Sequence, residues 1–220
     1  MYQPIKMKRS TKYGNNYWHG YSPKVKRDVH FFSDLEYEHW LLVECDPNIE
    51  TFCEQPLKVS YLHNDKMKSS IFDMWVQYSN GTEEFREIKY QSHLEPNHKK
   101  YLETSKQISV QKNWCSEKNI QYSLQTDDVI RSNMILLDNC RIIVSFVRLY
   151  YQMHKQLLQS IISFLSDKKA SISSLCEYFT SLPTHSDQDV KIAIFYGLYI
   201  GVLKGSLGTQ PITNGMEVWI

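Results

Sequence analysis

The chain has 220 residues, 42% of them hydrophobic, and a formal net charge of +1. That length suits one domain of moderate size, or a catalytic domain with a small appendage. No apolar run approaches the ~20 residues that span a bilayer, and the amino terminus lacks the apolar stretch of a secretory signal.

The near-neutral total conceals an asymmetry. Residues 1–30 carry Lys6, Lys8, Arg9, Lys12, Lys24, Lys26 and Arg27 against the single acid Asp28. Residues 34–57 carry Asp34, Glu36, Glu38, Glu44, Asp46, Glu50 and Glu54 with no Lys or Arg. Such a pairing suits a polyanion grip beside a cation site, or simply an uneven surface. Tyr13, Tyr17, Trp18 and Tyr21 lie among the first cations, with Gly14, Gly20 and Pro23, so this stretch reads as an irregular arm. Its rings can clamp nucleic acid or fold over the protein as an aromatic lid. Ser33 opens a helix that runs to Asp46-Pro47. TFCEQPLKVSYL then reads as two short strands broken at Pro56. Phe72, Met74 and Val76 alternate with Ile71, Asp73 and Trp75 in a strand, Asn80-Gly81 marks a hairpin turn, and residues 82–90 return. Asn97 is placed to cap a helix carrying Tyr101, Leu102, Ile108 and Trp114, and IQYSLQT follows as a strand. This order predicts an α/β fold with a mixed central sheet flanked by helices.

From about residue 127 the pattern is helical. Residues 138–165 hold one long helix or two, and two more follow, capped by Ser171 and by Ser186 or Asp187. Asn214-Gly215 sits between short β-prone pieces, so the chain is expected to end in a small hairpin. Three helices and a hairpin outline a winged-helix-like carboxy-terminal interaction domain over 146–220, behind a domain over 1–145. Tyr196, Tyr199 and Ile200 read as core. Cys45, Cys53, Cys115, Cys140 and Cys176 are odd in number with no CxxC pair. That pattern fits reduced thiols in a cytoplasmic protein better than a structural zinc site.

Asp73, Glu87 and Lys89 carry the possible chemistry. Divalent ions such as magnesium take hard oxygen ligands, and phosphodiester hydrolysis needs such an ion with a cation facing the developing charge. In a strand, Glu87 and Lys89 share a face, and the Ile88 carbonyl offers a further hard ligand. A two-residue Asn80-Gly81 loop would set Asp73 opposite Ile88, on the wrong face. A three-residue Ser79-Asn80-Gly81 loop, with Gly81 left-handed, would set it opposite Glu87, and a bulge further along the hairpin would do the same. The plain alternative is an amphipathic hairpin with charges facing water, which requires no longer loop. Ser33 and Glu36 fit a capping box, with Glu36 bonding back to the Ser33 amide; Glu38 reads as solvent-facing. His39, His63, His93 and His98 read as surface or strand-edge residues, with His93 able to reach a phosphate near Lys89. Gln55 reads as support for the site.

The spaced motifs DLE-YEHWLLVE-C-DP, CEQP-LKVSY, FD and E-I-K resemble the TnsA endonuclease family of heteromeric Tn-seven-like cut-and-paste transposons. The resemblance extends upstream into GYSPKVKRDVHFFS and covers roughly residues 14–145. It implies a restriction-endonuclease-like fold with the PD-(D/E)xK signature, Phe72 standing where the proline is usual. It implies Glu36, Asp73, Glu87 and Lys89 as catalytic residues, and Glu36, Asp73, Glu87 and Ile88 as ligands of Mg2+ (two ions, Mn2+ able to substitute). It further implies hydrolysis of the 5′ strands at transposon ends. The partners implied are transposon-end DNA, a TnsB-like DDE transposase and a TnsC-like AAA+ regulator, with no membrane. A stand-alone restriction or repair nuclease, and a non-catalytic adaptor with a nuclease fold, remain the alternatives.

Overall fold

The computed structural model describes residues 2–7, 16–63, 66–181 and 184–220. Lys8, Arg9, Lys12, Tyr13 and Gly14 of the expected basic arm lie outside the described residues, as does the side chain of His63. The chain divides into two compact units, one of residues 1–43 and 48–132, the other of 44–47 and 133–220.

The first unit begins with an antiparallel hairpin, β1 (Trp18–Ser22) and β2 (Arg27–Phe31). This corrects the expectation of an irregular arm. Val29 and Phe31 are buried while Asp28 is exposed and His30 partly so, which is strand alternation. Lys26 takes a left-handed conformation at the turn. Trp18 does not stand free: it stacks on Tyr37 at 4.2 Å and donates its indole N–H to Asp34 at 2.7 Å. Helix α1 (Asp34–Cys45) follows and ends before Asp46-Pro47, as its sequence predicts. Strands β3 (Ile49–Glu54) and β4 (Lys58–His63) flank Gln55-Pro56, where Gln55 has φ 42°. Then come β5 (Lys66–Ile71), β6 (Met74–Tyr78) and β7 (Glu83–Lys89). The expected continuous strand is therefore broken at Phe72-Asp73.

A 3-10 turn over Gln91–Leu94 leads to helix α2 (Tyr101–Lys118). Lys100, not Asn97, is its N-cap, and no side chain caps it. Asn119 closes the helix in the left-handed region. Strand β8 (Gln121–Thr126) and the short α3 (Asp127–Ile130) complete the unit. The central sheet has the order β3-β6-β7-β8; β3, β6 and β7 run antiparallel, and β8 joins parallel to β7 after the α2 crossover. Alternation on β7 feeds two cores. Phe85 packs with Phe72, Trp75 and Cys115 toward α2, whereas Ile88 packs with Leu35 and Ile130 on the other face. The sheet is mixed and helices flank it.

The second unit contains α4 (Met134–Val147), α5 (Gln152–Phe164), β9 (Ala170–Ser171), α6 (Ile172–Thr180) and α7 (Asp187–Tyr199). Strands β10 (Lys204–Gly205) and β11 (Glu217–Trp219) end it, in a three-stranded antiparallel sheet of order β10-β11-β9. Ser171 and Ser186 cap α6 and α7 as predicted. Asn214-Gly215 is not the tip of a two-strand hairpin; it lies in the turn just before β11, and β10 pairs with β11 across residues 206–216. The units divide after Ser132, where the sequence suggested 145/146. Ile143 and Val147 of α4 pack with Leu157, Ile161 and Ile194, so α4 belongs to the second core. Tyr199 is buried with its hydroxyl donating to Glu44 at 2.8 Å, but Ile200, expected in the core, is 39% exposed at the helix end.

All five cysteines are free thiols, and only Cys45 is not fully buried. Burial pushes Cys53 and Cys176 up to about 12 and Cys115 up to about 11. Among the described residues, no helix is long and apolar enough to cross a membrane.

Candidate active site

The β6–β7 connection decides which side chains meet. The Gly81 amide donates to the Tyr78 carbonyl at 2.8 Å and the Tyr78 amide to Thr82 at 2.9 Å, enclosing Ser79, Asn80 and Gly81. Gly81 has φ 83°, a conformation glycine adopts without steric cost. The register runs from Gln77↔Glu83 to Met74↔Arg86. Extended by one pair, it sets Asp73 opposite Glu87; of the two arrangements that serve the nuclease reading, a longer loop or a bulge, this is the longer loop. The loop is a condition met, and a water-facing hairpin had no need of it.

Asp73 sits at the break between β5 and β6. Its carbonyl accepts from the Gln55 amide at 3.0 Å, while Phe72 donates to Leu57 at 3.1 Å, so the Gln55-Pro56 bend fixes this stretch. The Asp73 carboxylate accepts from the Ile88 amide at 2.7 Å. Lys89 Nζ lies 3.9 Å from Asp73 Oδ2 and is in closer contact with Glu87 Oε1. Glu87 has no exposure at all. Two amides from α2 complete its surroundings: Gln107 Nε2 donates to Oε1 at 2.6 Å, and Gln111 Nε2 to Oε2 at 2.8 Å. Gln111 also donates to Ser70 and accepts from the Tyr122 hydroxyl at 3.2 Å.

Glu36 enters from α1. It does cap the helix, but differently from the expected box: its carboxylate accepts from the Phe32 amide at 3.1 Å and the Ser33 hydroxyl at 3.0 Å. The Gln55 side chain reaches it at 3.4 Å. Glu36, Gln55, Lys58, Asp73 and Gln107 line one cavity of about 360 Å³. Lys89, His93 and Lys100 line a second of about 290 Å³.

Electrostatics ties these groups together. Burial raises the pKa of Glu36, and the charge of Asp73 raises it further. Glu87 is raised for the same two reasons, burial first and Asp73 second. Burial works against the Lys89 ammonium, yet Asp73 and Glu87 outweigh it and hold its pKa above the ordinary value. Three carboxyl groups thus crowd one ammonium, and, after burial, their mutual repulsion shows in the raised pKa of Glu36 and Glu87.

Their oxygens are the hard donors that Mg2+ prefers, and a divalent ion there would offset the burial and the repulsion that raise the pKa of Glu36 and Glu87. In chemical type the donor set fits. As placed, the acids do not form a closed cage: the Lys89 ammonium lies between Glu87 and Asp73, and among the described residues no group of three or more His, Cys, Asp or Glu is spaced to hold a metal.

Other expectations need correction. Glu38 does not face water; it pairs with Arg131 Nε at 2.8 Å. His39 is no surface residue. It is buried, with Nε2 3.3 Å from Arg86, and its Nδ1 has no hydrogen-bond partner among the described residues. Burial and the Arg86 charge push its pKa down to about 3. His93 and His98 are partly exposed and stack at 4.7 Å. Gln107 and Gln111 were missed altogether. Their signal was the α2 face Thr104–Gln107–Gln111, polar where a helix packed on a sheet should be apolar.

Residues 46–127 match the model for the TnsA-like endonuclease N-terminal domain. The matched segment contains Asp73, Glu87, Lys89, Gln107 and Gln111, while Glu36 lies upstream of it. The chain has no match among curated proteins.

Proposed function

We propose, from the premise that residues 46–127 are a TnsA-like endonuclease segment, that this chain is a Mg2+-dependent DNA endonuclease subunit. In this reading the first unit is a restriction-endonuclease-like domain, and the second is a winged-helix-like interaction module. It hydrolyses the 5′ strands at transposon ends beside a TnsB-like transposase, under a TnsC-like regulator. The observation that carries the reading is the facing of Asp73 and Glu87 across the β6–β7 register, with Lys89 between them and Glu36 on the same cavity.

Asp73, Glu87, Glu36 and the Ile88 carbonyl would hold the ion, with Mn2+ able to substitute and two ions accommodated. Bound there, it would polarise a phosphoryl oxygen and supply hydroxide at neutral pH. The remaining work falls to the chain. Lys89, kept protonated by its two carboxylates, presents an ammonium to the charge that grows on the phosphorus oxygens. Gln107 and Gln111 fix the Glu87 carboxylate by both oxygens. The Ile88 amide fixes Asp73.

The test is strand cleavage of transposon-end DNA with Mg2+ and the partner proteins. Asp73→Ala and Lys89→Ala are expected to lose about 100-fold to 1,000-fold or more in rate while melting as folded proteins. Cleavage undiminished in both variants would end the proposal. A folded wild type that assembles with its partners but cuts at no divalent ion would identify an adaptor. Robust cutting without partners would identify a stand-alone nuclease.

A further inference from the structure

Strands β4 and β5 pair with each other and, among the described residues, with no other strand. Two-stranded hairpins are marginal in water unless something packs against them. Here the base is buried, and further along Tyr61 and Lys68 border a cavity with Leu102, Glu103 and Lys106 of α2. Val59 is buried with Phe72, Trp75 and Phe85, and Ser70 is buried on Gln111. Beyond Val59↔Ser70 the ladder continues for four pairs, from Ser60↔Ser69 to His63↔Lys66. At ~3.3 Å per residue that ribbon extends about 13 Å past its anchor.

The strands of this ribbon carry Lys58, Lys66 and Lys68 and no carboxylate, and the intervening Asn64-Asp65 adds one acid, so the cations remain in excess. Leu62 and Met67 face each other directly in the register, at 63% and 69% exposed. An apolar cross-strand pair held in water next to lysines suits neither a core nor an ordinary edge, which charge alone would protect. The ribbon borders the candidate active-site cavity: Lys58, Tyr61 and Ser69 line the same space as Glu36 and Asp73.

We propose that the β4–β5 ribbon is a DNA-duplex grip, inserted into a groove beside the scissile phosphate. In this arrangement the Leu62–Met67 pair faces the base pairs, and Lys66 and Lys68, which leave the opposite face of the ribbon, reach round its edges to the flanking phosphates. The inference rests on the reading of the chain as acting on DNA. Three features favour duplex DNA as the occupant. The lysines complement a polyanion. A two-stranded ribbon has the width a groove admits. Leu and Met are side chains that minor-groove proteins insert between base steps.

Duplex affinity of the full chain, read by fluorescence anisotropy in EDTA so that nothing is cut, tests this. Lys66→Ala with Lys68→Ala is expected to weaken binding about tenfold and to reduce the slope of log affinity against log salt by about two. Leu62→Ser with Met67→Ser is expected to lose severalfold in affinity at an unchanged slope, and to abolish the fluorescence change of a 2-aminopurine step in the duplex. All four side chains are exposed, so melting temperatures should hold.

Wild-type affinity and slope in both double variants would overturn the inference, whether or not the wild type cuts DNA. So would a wild type with no duplex binding at low salt, or variants that bind DNA normally but fail to assemble with a protein partner. A wild type that binds through the ribbon yet cuts at no metal would leave the grip standing and remove only the endonuclease reading.

Discussion

Glu87 shows how a carboxylate is kept in a place that should repel it. With no exposure, it retains two amide donors and an ammonium, and each donor offsets part of the cost of removing charge from water. Gln111→Leu leaves Oε2 short of a donor and is expected to destabilise the fold by about 1–3 kcal/mol in urea unfolding. Gln107→Leu, at a less buried position, should cost less. His39 gives a pH dependence of defined sign. Its folded pKa is about 3 and its unfolded value roughly 6.5. Below the unfolded value the denatured chain takes up a proton that the folded chain refuses, so stability falls as pH drops from 6.5 towards 3. Between pH 7 and 5 this amounts to about 2 kcal/mol, and His39→Gln should remove that share of the loss in melts at the two pH values. Neither glutamine nor His39 was legible by residue type. A buried polar side chain looks in sequence like an exposed one until its partner, here Glu87 or Arg86, is brought from another element.

At the scale of elements, the loop at Ser79-Asn80-Gly81 matters most, because a one-residue change of register would send Asp73 to the opposite face. Asn80-Gly81 and the alternation on either side made the hairpin readable, and the chemistry of Asp73 and Glu87 selected the loop length. Gly81→Val places a branched side chain at φ 83° and is expected to cost about 1–3 kcal/mol. With open space around that position, the penalty should be conformational and not steric. A variant as stable as the wild type would show that the loop had changed register, and cleavage would then be lost with it. The β1–β2 hairpin was hidden by Gly20, Pro23 and its aromatic residues, which read as an irregular arm although Val29 and Phe31 alternate inward. Strands β9 and β10, of two residues each, are too short to carry any periodicity.

For the whole molecule, the order of elements was largely readable, but the point of division was not. Helix α4 is apolar along much of its length, and that texture does not say which core receives it. Tertiary packing gives it to the second unit. Leu175, fully buried there, is a direct probe: Leu175→Ala should cost about 2–5 kcal/mol. Amide exchange should rise over 134–218 more than over the central sheet. The hairpin pattern could bring Asp73 to Glu87, but Glu36 comes from a helix far upstream in the chain, and only the spaced motifs of the TnsA resemblance suggested it as a third member.

The state of the cysteines has a practical outcome. Four are enclosed, three of those with pKa values pushed to 11 or above by burial, and Cys45 is half-buried with its sulfur on the Cys140 carbonyl. At neutral pH such sulfurs should react slowly with maleimides. A single cysteine engineered at an exposed position, such as Ser60 or Ser69, should therefore take a fluorophore or spin label selectively in the otherwise wild-type chain, without prior removal of the native five.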